Sequence, residues 1–124
     1  MPSYFDIKAV VAGAAGWAAA IPIVMYAGPR SNEASSAGAK AAALALGVGI
    51  AAVTTPTLSY LLGWKTREEK LRGVALGIGA AQVLDGLVHV AYPKFYANDA
   101  ADGLACASSI FWAAGLTGIL SCYQ

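Results

Sequence analysis

The chain has 124 residues, of which 58% are hydrophobic and only 12% charged, and its mean hydropathy is +0.60. This composition is far too apolar for an ordinary soluble domain of this length. The formal net charge of +1 gives no excess of basic residues, so nucleic acid is excluded as an expected partner. We therefore expect residues 1–124 to form a single integral membrane domain.

Four apolar stretches are each close to the ~20 residues that an α-helix needs to cross a bilayer. They run from Ile7 to Gly28, from Ala39 to Gly63, from Gly73 to Tyr92 and from Gly103 to Cys122. Apolar residues occupy all sides of these predicted helices, whereas each helix of a soluble bundle would carry a polar face. The sequence therefore predicts an all-α fold, a four-helix transmembrane bundle with short loops and both termini on the same side.

Polar segments separate the predicted helices. The first connection, residues 28–36, joins a Gly-Pro pair to residues that favour caps and turns. The second, Trp64–Arg72, holds four of the eight basic residues and is expected at the membrane surface. The third contains Lys94, and Asn98 or Asp102 is expected to cap the last helix.

The basic residues are distributed unequally between the two predicted faces of the membrane. Lys8 and the four basic residues of the second connection lie on one face, whereas Arg30, Lys40 and Lys94 lie on the other. Cytoplasmic loops carry the excess of Lys and Arg in membrane proteins. Both termini are therefore expected in the cytoplasm.

Small residues recur at four-residue spacing in three of the predicted helices. Such rows let helix backbones approach closely in lipid, so they predict packing faces. The rows are Ala12, Gly16 and Ala20; Ala43, Gly47 and Ala51; and Gly73 and Gly77.

Aromatic residues cluster at the predicted ends of the spans. Aromatic rings favour the interface between hydrocarbon and water. We expect these residues to be interfacial anchors and not contacts for a ligand: Trp64, Tyr92, Phe95 and Tyr96.

The third helix carries the most informative polar residues. Gln82, Asp85 and His89 are spaced by three and four residues, so they share one helical face. An aspartate at the centre of a transmembrane helix costs about 2.5–3.5 kcal/mol on insertion scales, so Asp85 needs a compensating partner. Asp85 and His89 can supply it to each other by sharing a proton or forming an ion pair. These residues are expected to face the bundle interior.

Two interpretations of Asp85 follow from the sequence. In the functional one, Asp85, His89 and Gln82 form a proton-handling or small-ligand site. In the structural one, Asp85 accepts hydrogen bonds from other helices and fixes their register. Its candidate donors are then Trp17, Tyr60, Ser108, Ser109 and Thr117.

No cofactor and no metal site are expected. One histidine, two cysteines in the same predicted helix and Asp85 supply no recognisable ligand spacing. His89, near a membrane edge, leaves axial ligation of a haem or chlorophyll as an alternative, without a second histidine for bis-histidine ligation. The sequence has no nucleophile–base motif and no phosphate-binding loop, so an enzyme is not expected.

Several short motifs are distributed along nearly the whole chain. They are Gly13-x-x-x-Trp17, the run Arg67–Arg72, Leu84-Asp85-Gly86, Tyr92-Pro93 and Phe111-Trp112. Together they resemble an uncharacterised family of small bacterial four-helix membrane proteins, known only as a domain of unknown function. The resemblance implies the four-helix architecture and an aspartate in the third span, here Asp85. The expected location is the bacterial inner membrane, with an organelle membrane as the alternative. It implies no activity, and His89 is not part of the family's pattern.

Two functions are consistent with these features. The first is a small accessory or interaction subunit of a larger membrane complex, which the small-residue faces and short loops suit. The alternative is an oligomeric, proton-coupled transporter or binder of a small molecule or ion, centred on Asp85 and His89. The expected partners are the lipid bilayer and either other membrane subunits or further copies of this chain.

The predicted topology can be tested by cysteine labelling from one side of the membrane. Thr66→Cys and Ala34→Cys are expected to label from opposite sides, because one predicted span separates the two connections. Labelling is compared with that of the parent protein, whose own cysteines are Cys106 and Cys122. Equal labelling of both variants from the same side would contradict the four-span topology.

Overall fold

The computed structural model describes residues 1–32 and 35–124. Glu33 and Ala34, part of the predicted first connection, lie outside the described residues. The described part of the chain forms four α-helices and contains no strand. Their bounds are α1 Tyr4–Ala27, α2 Ala37–Leu62, α3 Arg67–Ala91 and α4 Ala100–Ser121, and a short 3-10 helix, Pro29–Ser31, follows α1. The predicted all-α four-helix bundle is confirmed.

All four helices are long and apolar enough to cross a membrane. Large apolar side chains on every helix point outward, as lipid-facing residues do. Examples are Val11, Leu61, Val83 and Phe111, each more than half exposed. The chain is therefore a multi-pass integral membrane protein whose outer surface contacts the lipid bilayer.

Helix α3 begins six residues before the predicted start at Gly73. Thr66 and Glu69 form a capping box, in which Thr66 Oγ1 accepts a hydrogen bond from the Glu69 amide at 3.1 Å. Glu69 Oε2 accepts one from the Thr66 amide at 2.9 Å. These bonds satisfy amides that the first turn of a helix leaves free. The segment from Arg67 to Arg72, predicted as part of a connection, is therefore helical.

Helix α4 is capped by Asp99, and neither Asn98 nor Asp102 takes that position. The Asp99 side chain accepts a hydrogen bond from the Asp102 amide at 2.8 Å. The Asp102 side chain instead accepts a hydrogen bond from the amide group of Asn32. This bond ties the connection after α1 to the start of α4.

The helices pack as two parallel pairs, α1 with α3 and α2 with α4. In the first pair, the start of α1 meets the start of α3 through an ion pair between Asp6 and Arg72 at 2.8 Å. Further along, Gly13 lies against Gly77. The two helices therefore run parallel to each other. Sequence neighbours α1 and α2, and α2 and α3, contact each other less.

The α1–α3 contact is made by backbone. A Cβ atom built on Gly13 would lie 2.2 Å from the carbonyl oxygen of Gly77, so no side chain fits there. Gly77 confirms the predicted packing row of α3. The predicted row of α1, Ala12, Gly16 and Ala20, is wrong: α1 meets α3 through Ala9 and Gly13, and those three residues line a cavity.

Trp64 also packs against α3. A Cβ atom on Gly73 would lie 2.3 Å from Cζ2 of the Trp64 indole, so the absence of a side chain makes room for the ring. Only 5% of Trp64 is exposed, and its ring contacts that of Phe5 at a centroid distance of 5.9 Å. The prediction that Trp64 is an interfacial anchor is therefore wrong.

The second pair confirms the predicted packing row of α2. Gly47 faces the Trp112 indole, whose Cδ1 would lie 2.8 Å from an added Cβ atom, and Ala51 is fully buried. The Trp112 indole N–H donates to the carbonyl oxygen of Leu44 at 3.1 Å. These contacts join the middle of α2 to the middle of α4.

Pro56 interrupts the hydrogen bonds of α2. A proline has no amide hydrogen, so it leaves the carbonyl oxygen of Ala52 without its helical donor. The side-chain amide of Gln124 donates to that oxygen at 3.0 Å. Gln124, which follows α4, thus gives the Ala52 carbonyl oxygen a hydrogen bond in place of the one that Pro56 removes.

The glycine contact gives a matched pair of substitutions on one helix. Gly13→Ala is expected to lower the stability of the folded protein by about 1–3 kcal/mol, because its methyl group meets the Gly77 backbone. Gly16→Ala is expected to cost nothing comparable, because nothing lies within 4 Å of the added carbon. Thermal unfolding in detergent measures both. Equal stability of the two variants would mean that α1 and α3 are not packed through Gly13.

Candidate functional site

A cavity of about 400 Å³ lies between the two helix pairs and is partly open to the surroundings. All four helices line it, mainly with Ala, Gly, Ile, Val and Leu side chains. Its polar lining is confined to a few side chains: Trp17, Thr54, Thr57, Gln82, Asp85, Tyr96, Ser109 and Thr117. A mainly apolar cavity with a few convergent polar groups is typical of a small-molecule site.

Asp85 is the buried carboxylate of this cavity, with 7% of its surface exposed. Its Oδ1 accepts a hydrogen bond from the Trp17 indole N–H at 2.7 Å. The same oxygen accepts a hydrogen bond from the Tyr96 hydroxyl at 2.5 Å. The predictions that Asp85 faces the interior and that Trp17 is a donor to it are confirmed.

Trp17 and Tyr96 also contact each other. The Trp17 indole N–H lies 3.2 Å from the Tyr96 hydroxyl oxygen and donates to it as well. With its oxygen accepting from Trp17, the Tyr96 hydroxyl is free to direct its own hydrogen at Asp85. Two donors on one carboxylate oxygen stabilise its negative charge.

Tyr96 lies in the connection between α3 and α4 and lines the cavity. The Phe95 amide donates to the Tyr92 carbonyl at 2.8 Å, forming a turn that directs the chain inward. Tyr96 is 5% exposed, so the prediction that it is an interfacial anchor is wrong. Tyr92, in contrast, is 69% exposed, as expected of an anchor. The turn, and not the residue type, distinguishes the two tyrosines.

The environment of Tyr96 keeps its hydroxyl protonated. Burial raises the pKa of this phenol well above its ordinary value of 10.0, and the hydrogen bond to Asp85 raises it further. Both causes disfavour a negative charge on the phenol oxygen. Tyr96 therefore acts as a neutral hydrogen-bond donor to Asp85 across the physiological pH range.

His89 does not contact the Asp85 carboxylate. Its Nδ1 lies 2.8 Å from the backbone carbonyl oxygen of Asp85 and must donate to it, since a carbonyl only accepts. Its ring packs against that of Tyr96 at a centroid distance of 5.0 Å, with the two rings tilted by 30°. The sequence suggests that His89 pairs with the Asp85 carboxylate. In the structure, His89 bonds to the Asp85 backbone instead.

The other nitrogen of His89, Nε2, is buried and has no hydrogen-bond partner among the described residues. Axial ligation of a haem or chlorophyll requires this nitrogen, because Nδ1 carries a hydrogen. Protein atoms enclose it, so the geometry does not favour such ligation. Gln82, the third predicted site residue, does line the cavity, about one helical turn before Asp85.

The remaining predicted donors to Asp85 have other partners or positions. Tyr60 is 87% exposed. The hydroxyls on α4 donate to carbonyl oxygens of their own helix, four residues earlier, at 2.8–2.9 Å. These hydroxyls belong to Ser108, Ser109 and Thr117.

The charge of Asp85 has no basic counterpart in the cavity. None of the described lining residues is Lys, Arg or His, and none besides Asp85 is Asp or Glu. Within the described chain, no group of three or more His, Cys, Asp or Glu side chains is placed to hold a metal ion. The arrangement can therefore accept a hydrogen-bond donor, a proton or an organic cation at one carboxylate.

Comparisons with protein-family models, with curated proteins and with solved structures gave no match. The function is therefore inferred from the residues of the cavity and their geometry.

Removing the Tyr96 hydroxyl tests its bond to Asp85. Tyr96→Phe keeps the ring but loses the donor, so the free energy of unfolding is expected to fall by about 1–3 kcal/mol at neutral pH. Tyr92→Phe, at an exposed position, is the matched control and should change little. Chemical unfolding in detergent measures both. A parent-like stability of Tyr96→Phe would contradict a buried hydrogen bond at this position.

The stability difference between the parent and Tyr96→Phe is expected to depend on pH. The pKa of Tyr96 is raised in the folded state, so its stabilising effect is present below the ordinary pKa of 10.0. Above that pH, the unfolded chain loses a proton that the folded chain retains, and stability falls. The difference in stability between the parent and Tyr96→Phe should therefore shrink as the pH rises beyond 10.0.

Proposed function

We propose that the protein binds a small, largely apolar molecule within the membrane, in the cavity between the two helix pairs. The observation that carries this proposal is the Asp85 carboxylate, which is held by Trp17 and Tyr96 at the wall of that cavity. The proposed role is that of a binding protein, not of an enzyme.

The size of the cavity supports an occupant. Small-molecule sites commonly measure about 300–1,000 Å³, and this one measures about 400 Å³. The cavity is therefore large enough to hold a small molecule, and its opening lets such a molecule enter.

The site residues of this proposal differ partly from those predicted from the sequence. Asp85 and Gln82 remain as lining residues, whereas Trp17 and Tyr96 take the place of His89 beside the carboxylate. One chain supplies all of them, so binding does not require an oligomer. Transport, proton coupling and oligomer formation, which the sequence suggested as an alternative, stay predictions, as does a location in the bacterial inner membrane.

A second function, that of an interaction subunit, is favoured by the outward face of α2. Gly38, Ala42, Ala45 and Gly49 are all exposed on this helix, at spacings of four, three and four residues. Nothing lies within 4 Å of a carbon added at Gly38 or Gly49. A smooth face of this kind lets another membrane helix approach closely. It supports the predicted role as an accessory subunit of a larger membrane complex.

Filling the cavity tests the binding function. Ala20→Phe places a ring among the lining residues, whereas Ala18→Phe places it on an exposed part of the same helix. Native mass spectrometry of protein purified in mild detergent is expected to detect a bound small molecule in the parent and in Ala18→Phe. Ala20→Phe should lose it. Equal retention by both variants, or no bound molecule in the parent, would contradict the proposal.

The interaction function predicts a different result for the α2 face. Gly49→Leu should reduce cross-linking of the protein to neighbouring subunits in native membranes, because its side chain prevents close helix approach. Gly115→Leu on α4 is the matched control, since it is also exposed with open space around it. The same cross-links in both variants would mean that the α2 face contacts only lipid.

A further inference from the structure

We infer that the molecule bound in the cavity is an organic ammonium ion, a protonated amine attached to an apolar body. This inference rests on the proposed binding function and names its ligand class. The features that carry it are the hydrogen bonds of the two Asp85 oxygens, the absence of basic side chains from the described lining and the mainly apolar walls of the cavity.

The two oxygens of the Asp85 carboxylate are not equivalent. Oδ1 accepts hydrogen bonds from both Trp17 and Tyr96. Oδ2 receives no hydrogen bond from the described residues, and it is not among the fully enclosed atoms that lack a partner. It therefore remains accessible as an acceptor. An N–H group of a ligand in the cavity can donate to this oxygen.

The charge of the lining favours a cation over a neutral donor. The two donors on Oδ1 are both neutral groups, so they stabilise the negative charge without cancelling it. No Lys, Arg or His is present among the described lining residues to balance it. An unpaired charge in an apolar interior is costly. An ammonium group satisfies the free acceptor and neutralises the charge at once.

The walls of the cavity suit the apolar body of such a ligand. Trp17 and Tyr96 both line the cavity, and both bond to Asp85. The rest of the lining is mainly aliphatic, as at Ile50, Val74 and Ile78, so it suits an apolar body. A small inorganic cation would leave most of the cavity unfilled.

Two probes of the same length separate charge from shape. 4-Phenylbutylammonium carries an ammonium group at pH 7, and 4-phenylbutanol carries a neutral hydroxyl on the same phenylbutyl body. Equilibrium dialysis against the full chain in phosphatidylcholine nanodiscs measures their affinities, with empty nanodiscs correcting for partition into lipid. The ammonium probe is expected to bind about tenfold or more tightly than the alcohol.

Substitution of the carboxylate assigns this preference to Asp85. Asp85→Asn should weaken binding of the ammonium probe about tenfold and change that of the alcohol by less than about twofold. Asp99→Asn is the matched control: it removes a carboxylate outside the cavity, and asparagine caps a helix as well as aspartate does. It should leave both affinities unchanged.

The outcomes distinguish this inference from the function on which it rests. Equal affinity of the two probes for the parent protein would overturn the ammonium assignment while leaving a site for neutral apolar molecules. A preference that survives in folded Asp85→Asn would overturn Asp85 as the counter-ion. Binding of neither probe above empty nanodiscs would overturn both proposals. If Asp85→Asn does not fold, the ratio of the two probe affinities for the parent protein still tests the ammonium assignment, because that measurement needs no variant.

Discussion

The backbone contact between Gly13 and Gly77 sets the geometry on which the site depends. It brings two parallel helices closer than any side chain would allow. Trp17 lies about one turn beyond Gly13, and Asp85 about two turns beyond Gly77. The close approach therefore places an indole N–H within 2.7 Å of a carboxylate on the neighbouring helix. A looser crossing would leave Asp85 without this donor, within a span where free polar groups are costly.

The same pairing explains why the bundle contains a cavity. Small residues bring α1 against α3 and α2 against α4, so each pair is tight within itself. Between the pairs, small residues such as Ala12, Gly16 and Ala20 of α1 line the cavity without filling it. Small residues thus have two effects in this protein. Gly13 allows α1 to contact α3, whereas Gly16 leaves part of the cavity unfilled.

The cavity and the carboxylate together define a site that one chain completes. Asp85 is polarised on one side by two protein donors and open on the other. Fixed donors hold its orientation, while the uncompensated charge and the apolar walls select what can lie beside it. Tyr96 links this site to the connection after α3, because its hydroxyl bonds to Asp85 and its ring packs on His89.

Composition and helical periodicity by themselves determined the four spans, the all-α fold and the importance of Asp85, because hydrophobic length and the cost of a charge in lipid are local properties. The capping box of Thr66 and Glu69 has a sequence signature, Ser or Thr followed three residues later by Glu or Gln, but the segment after Thr66 is predicted as a connection. Only the tertiary structure decided which row of small residues packs, that His89 bonds to the backbone, and that Tyr96 is buried while Tyr92 is exposed. Apolar residues surround every helix, so no amphipathic face indicates which side meets protein. That choice depends on the crossing of helices distant in sequence and on one turn that folds a loop inward.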